Sequence, residues 1–158
     1  MDKTTKSVED QIKYLHTVLE ASEKKLSADL NFDTLKQEVR DSLRLDEFVL
    51  QEEAMNNTSK HHEIIVQWFE MQDKQSYYRR YEKVLYKLLY DWYKYECPTG
   101  PFRTKEDYNR HIYAHETWVL LKRIQDQVDQ ITNYLSYVEK LFGSRNFSIG
   151  AVSRLLGN

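Results

Sequence analysis

The sequence predicts an all-α protein: a long helical hairpin with a coiled-coil-like seam, a short C-terminal helix and additional N-terminal helices. Its 158 residues include only four Gly and two Pro, which leaves few turn-formers for a many-stranded sheet. Apolar residues recur at alternating steps of three and four over long stretches, which is the period of packed helices. A segment rich in Pro and Gly separates the two longest of these stretches, and this arrangement favours two helices joined by a turn.

The N-terminal elements follow from capping signals. Ser7 and Asp10 have the spacing of a capping box, and the apolar residues after them recur at helical spacing. A first helix is therefore expected from Ser7 to about Leu30. Asp33 is a candidate cap for a second helix. The polar run at 55–59 predicts a break in the chain.

The domain organisation predicted from these signals has two regions. Residues 1–58 form an acidic N-terminal helical region, and residues 59–158 form the helical hairpin with a C-terminal amphipathic helix. The net charge of −2 conceals a difference along the chain. Residues 1–73 carry 9 basic and 16 acidic side chains, a balance of −7, whereas residues 74–158 carry 14 basic and 9 acidic, a balance of +5. We expect the two halves to meet different partners.

The first helix of the hairpin is expected from Lys60 to about Glu96. Its second half has six apolar and aromatic residues at heptad spacing, namely Tyr78, Tyr81, Leu85, Leu88, Trp92 and Tyr95. The prolines of the segment 97–101 must end this helix, since proline lacks the amide donor that a helix needs. Thr104 with Asp107 three residues later then predicts the start of a short connecting helix.

The clearest heptad pattern follows the connecting helix and ends near Gly143. Its apolar positions are Leu121, Ile124, Val128, Ile131, Leu135, Val138 and Phe142. A small amphipathic helix carrying Phe147 and Ile149 is expected after Gly143. Apolar surface left over on such helices drives oligomer formation, so these nine residues are the predicted oligomerisation set.

Basic and aromatic residues alternate on the first hairpin helix. The predicted nucleic-acid-binding residues there are Arg79, Arg80, Lys83, Lys87, Tyr90 and Lys94, and Arg145 and Arg154 form a second, weaker basic patch. Cations neutralise phosphates and rings stack on unpaired bases. On a helical wheel Lys83 lies about 200° from Tyr81, which places the basic stripe opposite the apolar seam. There are two alternatives. In the first, the basic stripe is an ordinary solvated face over an aromatic core. In the second, the C-terminal cations interact with a helix dipole.

Catalytic and cofactor motifs are not found. The four glycines form neither a dinucleotide fingerprint nor a phosphate-binding loop. His111 and His115 lie four residues apart beside Glu116, and His61 and His62 precede Glu63, but the sequence has neither a Glu-x-x-His pair nor a His-Glu-x-x-His run. No metal, cofactor or enzymatic activity is therefore expected. The lone Cys97 suits a reducing compartment. No apolar segment is long enough to cross a bilayer, and a cytoplasmic location is expected.

From Leu35 to the C-terminus, the order of elements resembles the UvsY-type recombination mediators of T-even-like tailed phages. The resemblance rests on the acidic element Leu43–Asp46, the basic helix ending in Lys87-Leu88-Leu89-Tyr90-Asp91-Trp92-Tyr93, a glycine-containing turn, the long apolar-striped helix, and Ser144-Arg145-Asn146-Phe147-Ser148-Ile149. Where the family's basic helix tends to carry a second cation, this chain has Leu89, and Lys83 or Lys94 would compensate.

The resemblance implies a protein of DNA recombination, repair and replication in the cytoplasm of an infected bacterial host cell. It would be a ring-like homo-oligomer that binds single-stranded DNA, destabilises the single-strand-binding protein and promotes loading of a RecA-like recombinase. The competing interpretation is a helical structural or assembly adaptor of a phage with no nucleic-acid role. Heptad patterns alone do not separate the two.

Overall fold

The computed structural model describes residues 7–29, 32–42 and 50–156. Five helices follow one another in this part of the chain: α1 (Val8–Asp29), α2 (Phe32–Ser42), α3 (Leu50–Tyr95), α4 (Lys105–Ala114) and α5 (Glu116–Leu156). The described ranges contain no strand, and the predicted all-α class is confirmed. Leu30 and the Leu43–Asp46 element lie outside the described residues.

The chain is divided into two compact units. The described part of the first unit comprises residues 7–29 and 75–127, and that of the second comprises residues 32–42, 50–74 and 128–156. The long helices α3 and α5 each contribute to both units.

In the first unit, α1 packs on the second half of α3 and the first half of α5. Its buried residues Ile12, Leu19 and Leu26 are seven positions apart, which keeps them on one face of the helix. The start of α1 is fixed twice: the Ser7 hydroxyl accepts the Asp10 N–H at 3.1 Å, as the capping signal predicts, and the Glu96 carboxylate accepts the Val8 N–H at 3.1 Å. A carboxylate at this end also complements the helix dipole.

In both units α3 and α5 run antiparallel. In the first unit, Lys122 Nζ donates to Glu82 Oε1 at 2.7 Å, and Gln125 Nε2 donates to the Tyr78 carbonyl at 3.2 Å, so numbers fall on one helix as they rise on the other. In the second unit, His61 Nε2 lies 3.4 Å from Glu139 Oε1, and Asn57 pairs with Asn146. Two long antiparallel helices are the arrangement expected of the predicted helical hairpin.

The turn between α3 and α4 requires glycine at one position. A Cβ at Gly100 would lie 2.0 Å from the Tyr93 carbonyl oxygen, so no larger residue fits there without movement of the backbone. Thr104 then caps α4, with its hydroxyl accepting the Asp107 N–H at 3.2 Å. The predicted stop, turn and connecting helix are confirmed.

Three local predictions are wrong. α3 is continuous from Leu50, so the run at 55–59 is no break in the chain. The C-terminal segment is helical but continues α5 through Gly143 instead of forming a separate helix. Tyr95 is 72% exposed and lies outside the seam.

Packing explains why these helices continue. Asn, Ser and Thr in a helix interior cost up to about 0.7 kcal/mol each and Gly about 1 kcal/mol, relative to Ala. Burying one large apolar side chain contributes about 1.5–3 kcal/mol, so a packed face outweighs a few weak helix-formers. Asn57 is itself buried, and a Cβ at Gly143 would make only an ordinary 3.9 Å contact with the His61 ring. The 55–59 run and Gly143 therefore lie inside helices that packing stabilises.

Candidate nucleic-acid interface

The second half of α3 presents a cationic face, which we define as Arg80, Lys83, Lys87, Tyr90 and Lys94. The four cations are exposed and Tyr90 is half-buried. Successive members are three or four residues apart and therefore neighbours on the helix surface. The opposite side of α3 buries Tyr78, Leu85 and Leu89. Leu89, the position where a second cation was expected, is fully buried, so the exposed positive charge on the second half of α3 comes from the cationic face and from Arg79.

The positive charge of this face is largely unpaired with carboxylates. Within the described ranges, no ion pair involves Lys83 or Lys87, and Arg80 Nε donates only to the Ser76 carbonyl at 3.4 Å. Burial raises the pKa of Glu82, but hydrogen bonds from Lys122 and Gln125 outweigh it, and the net pKa is lowered. Glu82 is thus ionised and its charge is directed at Lys122. The face remains available to an external anion.

The cationic face leads into a pocket of about 620 Å³ beside the α3–α4 turn. The pocket is lined by four aromatic rings, three cations and two small turn residues, namely Tyr86, Tyr90, Phe102, Tyr108, Lys94, Arg103, Lys105, Pro101 and Thr104. All of these residues belong to the first unit. We call this the aromatic–basic pocket.

Ring contacts build the aromatic–basic pocket. The Tyr90 and Tyr108 rings are 4.7 Å apart, and Phe102 stacks on His111 with a 4.1 Å centroid distance and a 5° interplanar angle. The Phe102 N–H donates to the Tyr108 hydroxyl at 3.2 Å, which ties the turn to α4. Lys94 Nζ lies 5.9 Å from the Tyr90 ring centroid, within cation–π range. Hydrogen bonding to Tyr95 raises the pKa of Lys94, so its charge is secure at neutral pH.

Sequence reasoning found Tyr90 and Lys94 but missed the side of the pocket formed by the turn and α4. Phe102, Arg103, Lys105 and Tyr108 were not singled out. A signal was available, because Phe102-Arg103-Thr104-Lys105 places a ring and two cations around the predicted cap of α4. Only the fold brings the two segments together.

The other predicted binding residues belong to the second unit. Arg154 is exposed, and its Nε donates to the Gly150 carbonyl at 3.1 Å. Arg145 is half-buried. Neither joins the pocket or the cationic face.

The predicted oligomerisation residues are mostly interior. Eight of the nine are buried within the single chain, at 8% exposure or less, and only Phe147 is exposed, at 74%. Enclosed side chains offer no surface to a second copy, so we assign these eight to the core of the protomer: Leu121, Ile124, Val128, Ile131, Leu135, Val138, Phe142 and Ile149. Phe147 is the member of the set that a partner can reach.

The histidines considered as metal ligands have other contacts. His111 stacks on Phe102, and the ring nitrogen Nδ1 of His115 accepts the Thr117 N–H at 3.2 Å. His61 lies between Glu139 and Asn146. Over the described residues, no three or more His, Cys, Asp and Glu side chains are grouped to hold a metal ion. Likewise, none of the helices described has both the length and the apolar character needed to cross a membrane.

Comparison with solved structures matches crystal structures of the bacteriophage T4 recombination mediator protein UvsY. Lattice types II, IV and I give TM-scores of 0.68, 0.67 and 0.66 and cover 81%, 81% and 78% of this chain. They are themselves covered to 96%, 98% and 97%, at sequence identities of 17%, 16% and 17%. The chain has the UvsY fold.

The resemblance predicted from the sequence is therefore confirmed at the level of the fold. No protein-family model matches the chain, and no curated protein sequence matches it. Nearly all of UvsY has a counterpart here, whereas about a fifth of this chain extends beyond the UvsY fold.

Proposed function

We propose that this chain is a recombination mediator that binds single-stranded DNA as a homo-oligomer. The observation that carries the proposal is the cationic face of α3, exposed and largely unpaired with carboxylates, on a chain with the fold of a phage recombination mediator. Lysines spaced along a helix contact successive phosphates, and aromatic rings beside them stack on bases of any identity. Binding should thus tolerate any sequence.

Oligomerisation would make weak contacts sufficient. Each protomer offers only a few cations, but several linked copies hold a strand at high effective concentration. A ring-like arrangement of copies would also bend the strand and so loosen a bound single-strand-binding protein. The exposed Phe147 in the second unit is the proposed contact between copies.

The remaining partners follow from the charge distribution. We propose that the acidic first half contacts the RecA-like recombinase or the single-strand-binding protein, since its balance of −7 repels DNA. The protein acts by exchanging strand contacts, with no bond made or broken. The acting compartment is the cytoplasm of an infected bacterial host.

A salt series tests the DNA contacts. Fluorescence anisotropy of a labelled oligothymidine should show a log-linear loss of affinity with salt. In the double variant Lys83→Ala/Lys87→Ala, the slope should shrink by roughly 1.4 per bound protomer, since each single-strand phosphate contact contributes about 0.7. The matched control Lys24→Ala/Lys25→Ala removes two exposed lysines of α1 and should leave the slope unchanged.

The same pair of variants separates the mediator from the phage adaptor. On DNA coated with single-strand-binding protein, the unmodified chain should shorten the lag before recombinase filaments form, and Lys83→Ala/Lys87→Ala should not. Weak binding with no salt dependence, together with an unaltered lag, would instead favour the adaptor and overturn the proposal.

A further inference from the structure

The aromatic–basic pocket has the dimensions of a ligand site. Its volume of about 620 Å³ lies within the 300–1,000 Å³ that small-molecule pockets occupy. The pocket is open to solvent, as a site for part of a polymer must be.

Its lining combines two chemistries. Four aromatic rings favour a flat, apolar partner, while Lys94, Arg103 and Lys105 favour an anion. None of the described residues that line it is acidic. A nucleotide of an unpaired strand has both features, a planar base and a phosphate, whereas the bases of a duplex are stacked on one another.

The pocket is held in place before a ligand arrives. The Phe102 ring is fixed by its stack on His111, and the backbone of the turn is fixed by the Phe102 N–H bond to Tyr108. The close approach of Gly100 to the Tyr93 carbonyl sets the path of the turn. A site that is already ordered loses little conformational entropy on binding.

We propose that this pocket receives one unpaired nucleotide of the bound strand. The base lies against Tyr90 and Phe102, and Lys94, Arg103 and Lys105 hold the phosphates on either side of it. The inference rests on the proposed function, since it needs single-stranded DNA as the ligand. It says where on each protomer a base is held, beside the lysines that contact phosphates, and it gives Phe102, Arg103 and Lys105 a role.

The test compares an oligothymidine with an abasic deoxyribose-phosphate strand of the same length, by anisotropy at fixed salt. Stacking is worth about 1–3 kcal/mol per base, so the unmodified chain should bind the base-bearing strand roughly 5- to 150-fold more tightly per engaged pocket. Phe102→Leu should lose most of this preference while its affinity for the abasic strand stays the same. Arg103→Ala/Lys105→Ala should weaken the binding of both strands and reduce the dependence of affinity on salt.

The control is Tyr137→Leu, which removes an exposed ring of the second unit and should change neither affinity. If the unmodified chain bound the two strands equally and with normal salt dependence, the pocket would not be a nucleotide site. The proposed function would still stand. Binding of neither strand would overturn both. The two-strand comparison on the unmodified chain needs no variant, so it remains decisive even where Phe102→Leu fails to fold.

Discussion

The two units use the same pair of helices differently. In the stretch of α3 that belongs to the second unit, residues 50–74, five side chains are acidic and two are basic, whereas in the stretch 75–95 five are basic and two are acidic. The charge of one continuous helix thus reverses where one unit gives way to the other. The cationic face therefore belongs to the first unit alone.

The interiors differ as well. The first unit surrounds its pocket with rings. In the second unit the buried Asn57 pairs with the half-buried Asn146, which lies 3.0 Å from the His61 ring. Buried polar groups need specific partners, and these fix which residues of α3 and α5 face each other. Ring contacts thus line the pocket of the first unit, while polar contacts between α3 and α5 give the second unit a defined register.

The largest effect is expected in the core of the second unit. Leu135 is fully buried, and Leu135→Asp would place an unpaired charge there, on top of the 2–5 kcal/mol that truncating such a residue costs. We expect this variant to lose its thermal unfolding transition in circular dichroism. Tyr137→Asp, two positions away and exposed, should unfold almost as the unmodified chain does. An unchanged unfolding transition in Leu135→Asp would refute the assignment of Leu135 to the core.

The smallest effect concerns His115 in the first unit. Burial lowers its pKa, Glu116 opposes the shift and His16 adds to it, and the Thr117 N–H bond to Nδ1 also favours the neutral ring. Because the folded pKa is below the unfolded value of about 6.5, the unfolded chain takes up the proton first as pH falls. Stability should therefore decline as pH drops below about 6.5, until the folded ring also protonates.

Denaturant titrations at pH 7.5 and pH 5.5 measure this decline. His115→Gln should make it smaller, whereas His62→Gln, at an exposed position of the second unit, should leave it as it is. An identical decline in His115→Gln would show that other groups cause it.

The sequence predicted the helices but not which residues of different segments lie side by side. Heptad spacing located the buried residues of α5, and the Thr104 signal located the start of α4, because both depend on neighbours within the same helix. The same heptad pattern serves packing within a chain and between chains, so it assigned Leu121 and its successors to subunit contacts when they are interior. The sequence did not predict the pocket, because Tyr90 and Phe102 are brought to the same pocket only by the turn that Gly100 permits.

Lysine footprinting tests the central claim most directly. Acetylation of the chain with and without saturating oligothymidine, followed by peptide mass spectrometry, reports which lysines the strand covers. We expect Lys83, Lys87 and Lys94 to be protected, and Lys24, Lys25 and Lys140 to react as they do in the free protein. Protection of the second set with no change at the first would contradict the assignment of DNA binding to the cationic face of α3.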